Sequence, residues 1–367
     1  MLDILRNLKK NYPLTFYFTV FIIIIVLINK ISKPFLEQAK FEKRTVPDFI
    51  EKVYGKENFE DYKKVLQEQG VPFRYEKFVE FSEQERLGDF TIVTSMGNRC
   101  NKNENSKCFL PDGGNDEIWI FGGSTVFGYG VKNNETISAY LEKILNNEFK
   151  VINFGTAFYW STQERILLNN LLTKYEKPSK IIFINGINEF AKYYRYDESA
   201  MSQSIRDNIN KSSRSKFIDY IYERINRLNF VRLINEKFLK NDSKEQLFID
   251  NEEIDQTVNL YLKNQKIIRG ISNEFNIDLI QILQPAPIYP DSYSSSNIPE
   301  DFKWHTDKNL NYQKVKSGYK RYLDKISDKI IDLSKFKITE PMYIDGVHYS
   351  PQFNFKIAEK ISKIILN

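Results

Sequence analysis

From residue 116 onward, short apolar runs alternate with segments whose apolar residues recur three and four positions apart. Four of these runs are predicted to be buried strands, over 118–121, 151–154, 181–184 and 279–283. The segments between them have the spacing of amphipathic helices, most clearly at 136–145, 163–175 and 260–275. Continuous apolar strands that alternate with such helices are typical of a parallel sheet covered on both faces. The pattern therefore predicts an α/β fold, a three-layer α/β/α sandwich around a central, mostly parallel sheet.

Two other segments frame this alternation. A last helix is predicted to begin after Ser350, a preferred N-cap residue, because Pro351 suits the first helical turn. The stretch 193–251 is polar and contains only short helical pieces. We predict that it is a helical insertion beside the carboxyl edge of the sheet, and whether it covers that edge as a lid stays open.

A segment without charged residues, 11–29, stands near the N-terminus. About 20 apolar residues cross the hydrocarbon core of a bilayer at ~1.5 Å per residue, and this segment just reaches that length. We interpret it as one transmembrane helix that anchors the chain. A cleaved signal peptide and a buried core helix are the alternatives. No small-residue cleavage site follows the segment, since residues 30–34 are Lys-Ile-Ser-Lys-Pro.

The charges beside this segment do not decide its orientation, because lysines and arginines occur on both sides.

The two cysteines bear on which side of the membrane the body of the protein lies. Cys100 and Cys108 bracket a polar loop, and such a pair could close a disulfide in a protein outside the cytoplasm. Two free thiols are the alternative. A disulfide would favour a body on the extracytoplasmic, periplasmic side, and no zinc site is predicted because no further cysteine or histidine is near.

Three regions follow from these patterns. They are a membrane anchor over 1–33, a stalk and lead-in over 34–110, and one α/β domain over 111–367 that contains the insertion. Within the lead-in, 74–81 and 90–94 have strand-like patterns. The 53 basic and 48 acidic residues, a net charge of +5, are interspersed along the chain. Because no nucleic-acid-binding motif accompanies them, no nucleic-acid partner is predicted.

Candidate catalytic residues follow the predicted strands. Ser124 follows the first strand, Gly155 the second and Asn188 the third, while Asp345 and His348 precede the last helix. Ligand sites in open α/β sheets form outside the carboxyl ends of the strands. We therefore expect these residues to meet at one edge of the sheet.

Together these residues could perform acyl transfer. A serine hydroxyl is a weak nucleophile until a base accepts its proton. His348 could do so, with Asp345 fixing its tautomer and stabilising the imidazolium. The backbone N–H groups of Ser124 and Gly155 and the side-chain amide of Asn188 are candidate donors to an oxyanion. Each residue also has a structural interpretation: a helix cap for Ser124, a turn glycine for Gly155, an Asx turn for Asn188 and a loop hydrogen bond for Asp345 with His348.

Two other polar residues give weaker signals. Gln284 directly follows the fourth predicted strand and could line a pocket at the same edge. His305, the other histidine, lies in no recognisable motif and is predicted to be a surface or cap residue. The segment 123–128 is not a phosphate-binding loop, because the Gly-Lys-Ser/Thr ending is missing. No metal and no cofactor are predicted.

The order of these blocks resembles the SGNH, or GDSL-like, hydrolase superfamily. A Gly-Gly-Ser ending at Ser124, then Gly155, a Gly-x-Asn ending at Asn188 and an Asp345-x-x-His348 occur in that order over about residues 116–365. The resemblance implies a nucleophilic Ser124, an oxyanion hole from Ser124, Gly155 and Asn188, and a His348 base supported by Asp345. The first block looks like that of membrane-anchored bacterial members that modify surface polysaccharides.

The sequence departs from the family's pattern at two positions. Gly123 stands where many members have aspartate, and Glu189 stands where the family usually has aspartate. Neither change removes a predicted catalytic atom, but the second alters the residue next to Asn188.

The resulting hypothesis is a membrane-anchored, extracytoplasmic serine esterase that removes acyl groups, in the simplest case acetyl, from a cell-surface glycan. Its expected partners are an acylated carbohydrate substrate and, through the N-terminal helix, a membrane. An O-acetyltransferase is the first alternative, because the same residues can pass the acyl group to water or to a sugar hydroxyl. A catalytically silent carbohydrate-binding or assembly protein is the second. The sequence specifies neither the glycan and the acyl group nor the oligomeric state.

Overall fold

The computed structural model of the protein describes most of the chain, in ranges separated by gaps. These residues are 10, 12–44, 47–70, 73–102, 108–191, 228, 229, 231, 251–288, 310–326, 330–337 and 339–366. The chain divides into two compact units, Met1–Thr45 with Gln203–Gln246 and Val46–Ser202 with Leu247–Asn367. The predicted insertion over 193–251, apart from four of its residues, falls outside the described residues, as does His305.

In the first unit, helix α1 runs Pro13–Arg44 and contains residues 13–29 of the uncharged segment. Its window Tyr17–Phe35 is long and apolar enough to cross a membrane. Large apolar side chains along it are exposed, among them Phe18 at 65% and Leu27 at 52%. Because only 6% of the window is buried, the alternative of a buried core helix does not describe it.

The second unit begins with small elements beside the sheet. They are α2 (Pro47–Tyr54), a 3₁₀ turn (Lys56–Asn58), α3 (Phe59–Gln69), β1 (Arg74–Glu76), β2 (Glu80–Ser82), β3 (Arg86–Leu87) and β4 (Ile92–Val93). β1 pairs with β2, and β3 with β4, in antiparallel fashion. The strand-like pattern over 74–81 therefore divides into a hairpin, because Phe78 and Glu80 reverse the chain with positive φ angles of 69° and 74°.

The remaining elements form the α/β body. Its strands are β5 (Gly114–Gly122), β6 (Lys150–Asn153), β7 (Pro178–Asn185), β8 (Asp278–Leu283) and β9 (Ile331–Asp332). Its helices are α4 (Ser124–Phe127), α5 (Ile137–Ile144), α6 (Ser161–Leu172), α7 (Ile187–Ala191), α8 (Asn251–Glu274), α9 (Leu310–Lys325) and α10 (Pro351–Leu366). A 3₁₀ turn, Asn133–Glu135, precedes α5.

In the described part of the chain, the main sheet has five parallel strands in the spatial order β6-β5-β7-β8-β9. The register places Ile120 of β5 opposite Asn153 of β6 and Ile182 of β7. The chain first steps to one side of β5 and then to the other, which is the order of doubly wound, flavodoxin-like sheets. The predicted parallel α/β sheet is confirmed.

The alternation of side chains along β5 places them in two different apolar cores, one on each face of the sheet. Ile118 and Ile120 belong to a core shared with α5 and α10, whereas Trp119 and Phe121 belong to a core shared with α6 and α8. All four side chains are fully buried. Burying a large apolar side chain contributes roughly 1.5–3 kcal/mol, so these cores fix the three-layer sandwich and hold the carboxyl ends of the strands in place.

The lead-in segment packs along the β6 edge of the sheet. The backbone N–H of Arg99 donates to the carbonyl oxygen of Asn153 at 2.9 Å and forms an antiparallel bridge there. Gln69, at the end of α3, accepts from the N–H of Gly130 at 2.6 Å and donates to the carbonyl of Val131 at 3.2 Å. An uncovered edge strand exposes unpaired backbone groups. The lead-in bonds to the β6 edge and is therefore part of the folded α/β body. The predicted boundaries of the three regions stay predictions.

The two cysteines lie in this lead-in. Cys100 and Cys108 are joined by a disulfide. The N–H of Cys100 donates to the carbonyl oxygen of Ile92 at 2.9 Å, so the bridge closes beside β4. The structure therefore favours the disulfide over two free thiols.

Candidate active site

The carboxyl edge of the sheet carries the predicted catalytic residues. β5 lies between β6 and β7, and such a change of direction opens a crevice at the ends of the strands. Ser124 follows β5 as the first residue of α4, and Asn188 lies in α7, which follows β7. Gly128 ends α4 with a φ of 83°, a left-handed conformation that favours glycine. This short helical turn presents Ser124 at the edge of the sheet.

Ser124, His348 and Asp345 form a hydrogen-bonded chain. His348 Nε2 lies 2.8 Å from Ser124 Oγ, and His348 Nδ1 lies 2.6 Å from Asp345 Oδ2. An ionised carboxylate can only accept hydrogen bonds, so Nδ1 carries the hydrogen of the neutral ring. Nε2 is thereby left to accept the serine proton, which is the direction that general-base catalysis by histidine requires.

Backbone donors hold the second oxygen of Asp345. Its Oδ1 accepts from the N–H groups of Val347 at 2.9 Å and His348 at 2.8 Å. Burial by itself would raise the pKa of Asp345. The charge and hydrogen bond of His348, together with the two backbone donors, outweigh burial and hold this pKa below its usual value. Asp345 is therefore ionised at neutral pH and able to stabilise an imidazolium.

A tight loop positions Asp345 and His348 before the last helix. The N–H of Ile344 donates to the carbonyl oxygen of His348 at 2.9 Å. Tyr343 and Tyr349 pair across the loop, and their buried rings lie 5.5 Å apart. The ring of Tyr129 packs 4.6 Å from the imidazole. These contacts fix the histidine ring toward the serine.

The side-chain amide of Asn188 lies beside the serine turn. Asn188 Nδ2 donates to the carbonyl oxygen of Tyr159 at 2.7 Å. A Cβ atom added to Gly123 would lie 2.4 Å from the same Nδ2, so the amide is packed against the residue before Ser124. The amide has two N–H donors, and Tyr159 takes one of them. A role for the second N–H as a donor to an oxyanion at Ser124 stays a prediction.

Gly155 packs against the turn that carries Ser124. Its N–H donates to Asn153 Oδ1 at 2.9 Å, and Asn153 Nδ2 donates to the carbonyl oxygen of Val126 at 2.8 Å. A Cβ atom added to Gly155 would lie 2.2 Å from the backbone nitrogen of Phe127. Close backbone packing therefore requires glycine here, and the buried Asn153 links this glycine to the serine turn. A role for the Gly155 N–H in an oxyanion hole stays a prediction.

Gln284 connects three of the segments that form the site. Its Nε2 lies 3.3 Å from Thr125 Oγ1 and 3.0 Å from the hydroxyl of Tyr349, and its Oε1 accepts from the N–H of Ile187 at 3.3 Å. Each contact is with the sequence neighbour of a predicted catalytic residue. The sequence signal, a glutamine at the end of an apolar strand, predicts a pocket residue. It does not predict that Gln284 links these segments. Asn153 also links two segments of the site, and no sequence motif marks it.

Two buried glutamates lie behind the site. Glu189 accepts from the N–H of Ser161 at 2.6 Å and from its hydroxyl at 3.1 Å, while Glu164 accepts from Asn185 Nδ2 at 2.7 Å. Burial raises the pKa of Glu189 to about 7, and burial with the nearby charge of Glu189 raises that of Glu164 well above its usual value. Glu189 thereby ties the start of α6 to α7. In the described part of the chain, no three or more His, Cys, Asp or Glu side chains are grouped so that they could hold a metal ion.

Glu164→Gln is expected to stabilise the protein at pH 8 and to make its stability less dependent on pH. The unfolded glutamate ionises above a pKa of about 4.3, whereas burial and the nearby charge of Glu189 hold the pKa of folded Glu164 well above that value. The unfolded state therefore binds fewer protons, and stability falls as pH rises through this range. Each unit of pKa difference corresponds to about 1.4 kcal/mol. Urea unfolding at pH 5 and pH 8 measures the effect.

The exposed Glu148→Gln is the control for loss of one carboxylate. It is expected to leave the pH dependence of unfolding unchanged. A Glu164→Gln variant with the same stability loss at pH 5 and pH 8 would show that the carboxyl group is ionised and needed for its hydrogen bond.

In comparisons with known proteins, this chain is similar to several solved structures. No protein-family model matches the chain, and no curated protein does. An acetyl xylan esterase, AlAXEase, matches with 13% identity and a TM-score of 0.38, over 68% of this chain and 99% of its own. A member of the lipolytic protein G-D-S-L family from Veillonella parvula matches with 13% identity and a TM-score of 0.34, over 68% and 98%. Because these likenesses are weak, the description of the site rests on its own geometry.

Proposed function

We propose that this protein is a membrane-anchored serine esterase of the SGNH type that removes acetyl or similar acyl groups from a carbohydrate. The observation that carries the proposal is the hydrogen-bonded chain of Asp345, His348 and Ser124, in which the serine and the histidine are 224 residues apart. This arrangement activates a serine for acyl transfer. The neighbouring amide of Asn188 supports the same reaction.

In the acylation half of the reaction, Ser124 Oγ attacks the ester carbonyl carbon while its proton passes to His348 Nε2. The ionised Asp345 stabilises the imidazolium. The carbonyl oxygen becomes an oxyanion, to which we assign the N–H of Ser124 and the second N–H of Asn188 as donors. The bond to the sugar oxygen then breaks, and the proton on Nε2 passes to that oxygen.

In the deacylation half, the acyl group is an ester of Ser124. A water molecule attacks its carbonyl carbon while His348 Nε2 takes a proton from the water. Collapse releases the carboxylic acid and returns the proton to Ser124 Oγ. A sugar hydroxyl in place of water would make the protein an O-acetyltransferase, so the identity of the acyl acceptor distinguishes the two activities.

Two features support a location outside the cytoplasm. The Cys100–Cys108 disulfide suits an oxidising compartment. The window Tyr17–Phe35 has the length and apolar character of a membrane span. We therefore assign the N-terminal helix to the membrane and the catalytic body to the extracytoplasmic, periplasmic side, where it would meet the acylated glycans of the cell surface.

Diisopropyl fluorophosphate is expected to label Ser124 of the full-length protein in detergent. Ser124 Oγ displaces fluoride from phosphorus, and His348 must take the serine proton for this to occur at an appreciable rate. Peptide mass spectrometry locates the adduct. His348→Ala is expected to slow the labelling at least about 10²-fold.

Labelling of a different serine in the folded protein would exclude Ser124 as the activated nucleophile. Absence of label, combined with retained binding of a glycan, would favour the catalytically silent carbohydrate-binding protein.

A further inference from the structure

A cavity of about 470 Å³ lies between the β1–β2 hairpin and helix α6, within the unit that contains the sheet. Ligand-binding cavities measure roughly 300–1,000 Å³, so this one has room for a sugar ring. Its lining includes Arg74, Tyr75, Ser95, Thr156, Tyr159 and Asn170. None of these side chains takes part in the acyl transfer.

The cavity and the candidate active site share a wall. The N–H of Thr156 donates to the carbonyl oxygen of Gly122, shortly before Ser124, at 3.0 Å. The carbonyl oxygen of Tyr159 accepts the amide of Asn188. Thr156 and Tyr159 also line the cavity. The segment 156–159 therefore borders both the cavity and the turn that carries Ser124.

The lining combines an aromatic face with polar side chains. Tyr75 is 65% exposed, and Asn170, on α6, offers both a donor and an acceptor. The guanidinium of Arg74 is fixed, because Nη1 donates to the carbonyl oxygen of Ser95 at 2.5 Å and Nη2 lies 3.3 Å from Glu76. A sugar ring matches this lining, since its C–H face packs on an aromatic ring and its hydroxyls bond to amide and guanidinium groups.

Left-handed backbone conformations occur beside the cavity. Phe158, in the shared wall, has a φ of 68° and is 51% exposed, and Phe78, in the hairpin turn, has a φ of 69° and is 76% exposed. Bulky residues rarely adopt such angles, and they cluster at functional sites where the surroundings enforce them. The Phe158 ring packs edge-on, 6.0 Å from the ring of Phe73. Phe158 thus adds an exposed ring to the wall that the cavity shares with the active site, whereas Phe78 does not belong to the described lining of the cavity.

We propose that this cavity is a sugar-binding subsite, which holds a unit of the glycan chain near the acylated unit. The inference rests on the proposed esterase function and assigns its substrate class, an acylated oligosaccharide rather than a monosaccharide ester. The lining also contains apolar side chains such as Leu167 and Leu171, and the exposed Tyr75 ring with the polar Arg74 and Asn170 is what favours a sugar over a lipid acyl chain.

The chain-length dependence of hydrolysis tests the subsite. Full-length protein in detergent is expected to deacetylate O-acetylated xylo-, gluco- and chito-oligosaccharides of about three or more units at least about tenfold more efficiently, in kcat/KM, than the monosaccharides. Tyr75→Ala and Asn170→Ala are each expected to remove most of this advantage, as loss of one good contact changes binding about tenfold. Turnover of 4-nitrophenyl acetate, too small to reach the subsite, should stay within about twofold of wild type.

Two neighbouring substitutions are the matched controls. Phe78→Ala removes an exposed ring from the same hairpin, and Asn169→Ala removes an exposed amide from the same helix. Neither residue belongs to the described lining of the cavity. Both variants are expected to keep the wild-type preference for oligosaccharides.

The outcomes distinguish a failure of the subsite proposal from a failure of the proposed esterase function. Equal efficiency of the wild type on monosaccharides and oligosaccharides, with normal turnover of 4-nitrophenyl acetate, would overturn the subsite and leave the esterase. Equal losses in Tyr75→Ala and Phe78→Ala would also overturn it, since the hairpin fold would then explain the effect. A folded wild type that does not turn over 4-nitrophenyl acetate would overturn the esterase itself.

Discussion

Ser124→Ala is expected to lower kcat/KM for an acetyl ester at least about 10⁴-fold. The substitution removes the nucleophile, while the contact between His348 and Asp345 remains. The fold should be retained, because the serine Oγ bonds the histidine of the site rather than a structural partner. Initial rates with 4-nitrophenyl acetate measure the loss, and thermal melting followed by circular dichroism verifies the fold.

Removal of the base should have a similar effect, and the two losses should not add. His348→Ala leaves the serine without a proton acceptor, so the double variant with Ser124→Ala is expected to be no slower than either single one. His305→Ala changes the other histidine of the chain and is the control, with wild-type activity expected. A Ser124→Ala protein that keeps more than about a tenth of the wild-type rate would exclude Ser124 as the nucleophile.

The sheet could be predicted from sequence because its strands are buried on both faces. The apolar runs 118–121 and 181–184 lie within β5 (Gly114–Gly122) and β7 (Pro178–Asn185). Both strands begin earlier than the runs, since their first residues lie at the polar amino edge of the sheet. The hydrophobic pattern does not predict every buried position. Glu117 is buried in β5, although a glutamate in the sequence indicates an exposed residue.

Other elements could not be predicted in this way. β9 has two residues, Ile331–Asp332, which is too short to produce a pattern. The predicted strand over 74–81 is a hairpin, because its reversal depends on positive φ angles at Phe78 and Glu80, where no glycine marks a turn. Helix α9 did have a signal, the helical spacing of the buried Val315, Tyr319 and Tyr322, but the charged residues among them obscure it.

In the candidate site, too, some residues could be predicted from the sequence and others could not. The motif residues could be predicted because their order and their places after strands are local properties of the chain. The linking role of Gln284 could not, because its contacts with Thr125 and Tyr349 join residues 159 and 65 positions away. For Gly155 the sequence predicts a backbone N–H donor to an oxyanion, which stays a prediction. The structure adds a close approach of Gly155 to the serine turn, with its N–H bonded to Asn153.

Gly155→Ala is expected to destabilise the folded protein by about 3 kcal/mol and to lower kcat/KM as well. The new Cβ would lie 2.2 Å from the backbone nitrogen of Phe127 and 2.6 Å from the carbonyl carbon of Val126. Backbone atoms cannot move aside as the end of a side chain can. The turn must therefore shift, which would misalign Ser124 with His348. Urea unfolding and rates with 4-nitrophenyl acetate measure the two effects.

Gly270→Ala is the matched control, because a Cβ at this position in α8 would meet no atom within 4 Å. Alanine is favoured over glycine inside a helix, so this variant is expected to gain about 0.5–1 kcal/mol. Alanine keeps the backbone N–H, so a loss of activity in Gly155→Ala would not come from loss of a donor. A wild-type free energy of unfolding in Gly155→Ala would contradict the packing role. It would leave the role that the family resemblance implies, an N–H directed at the substrate.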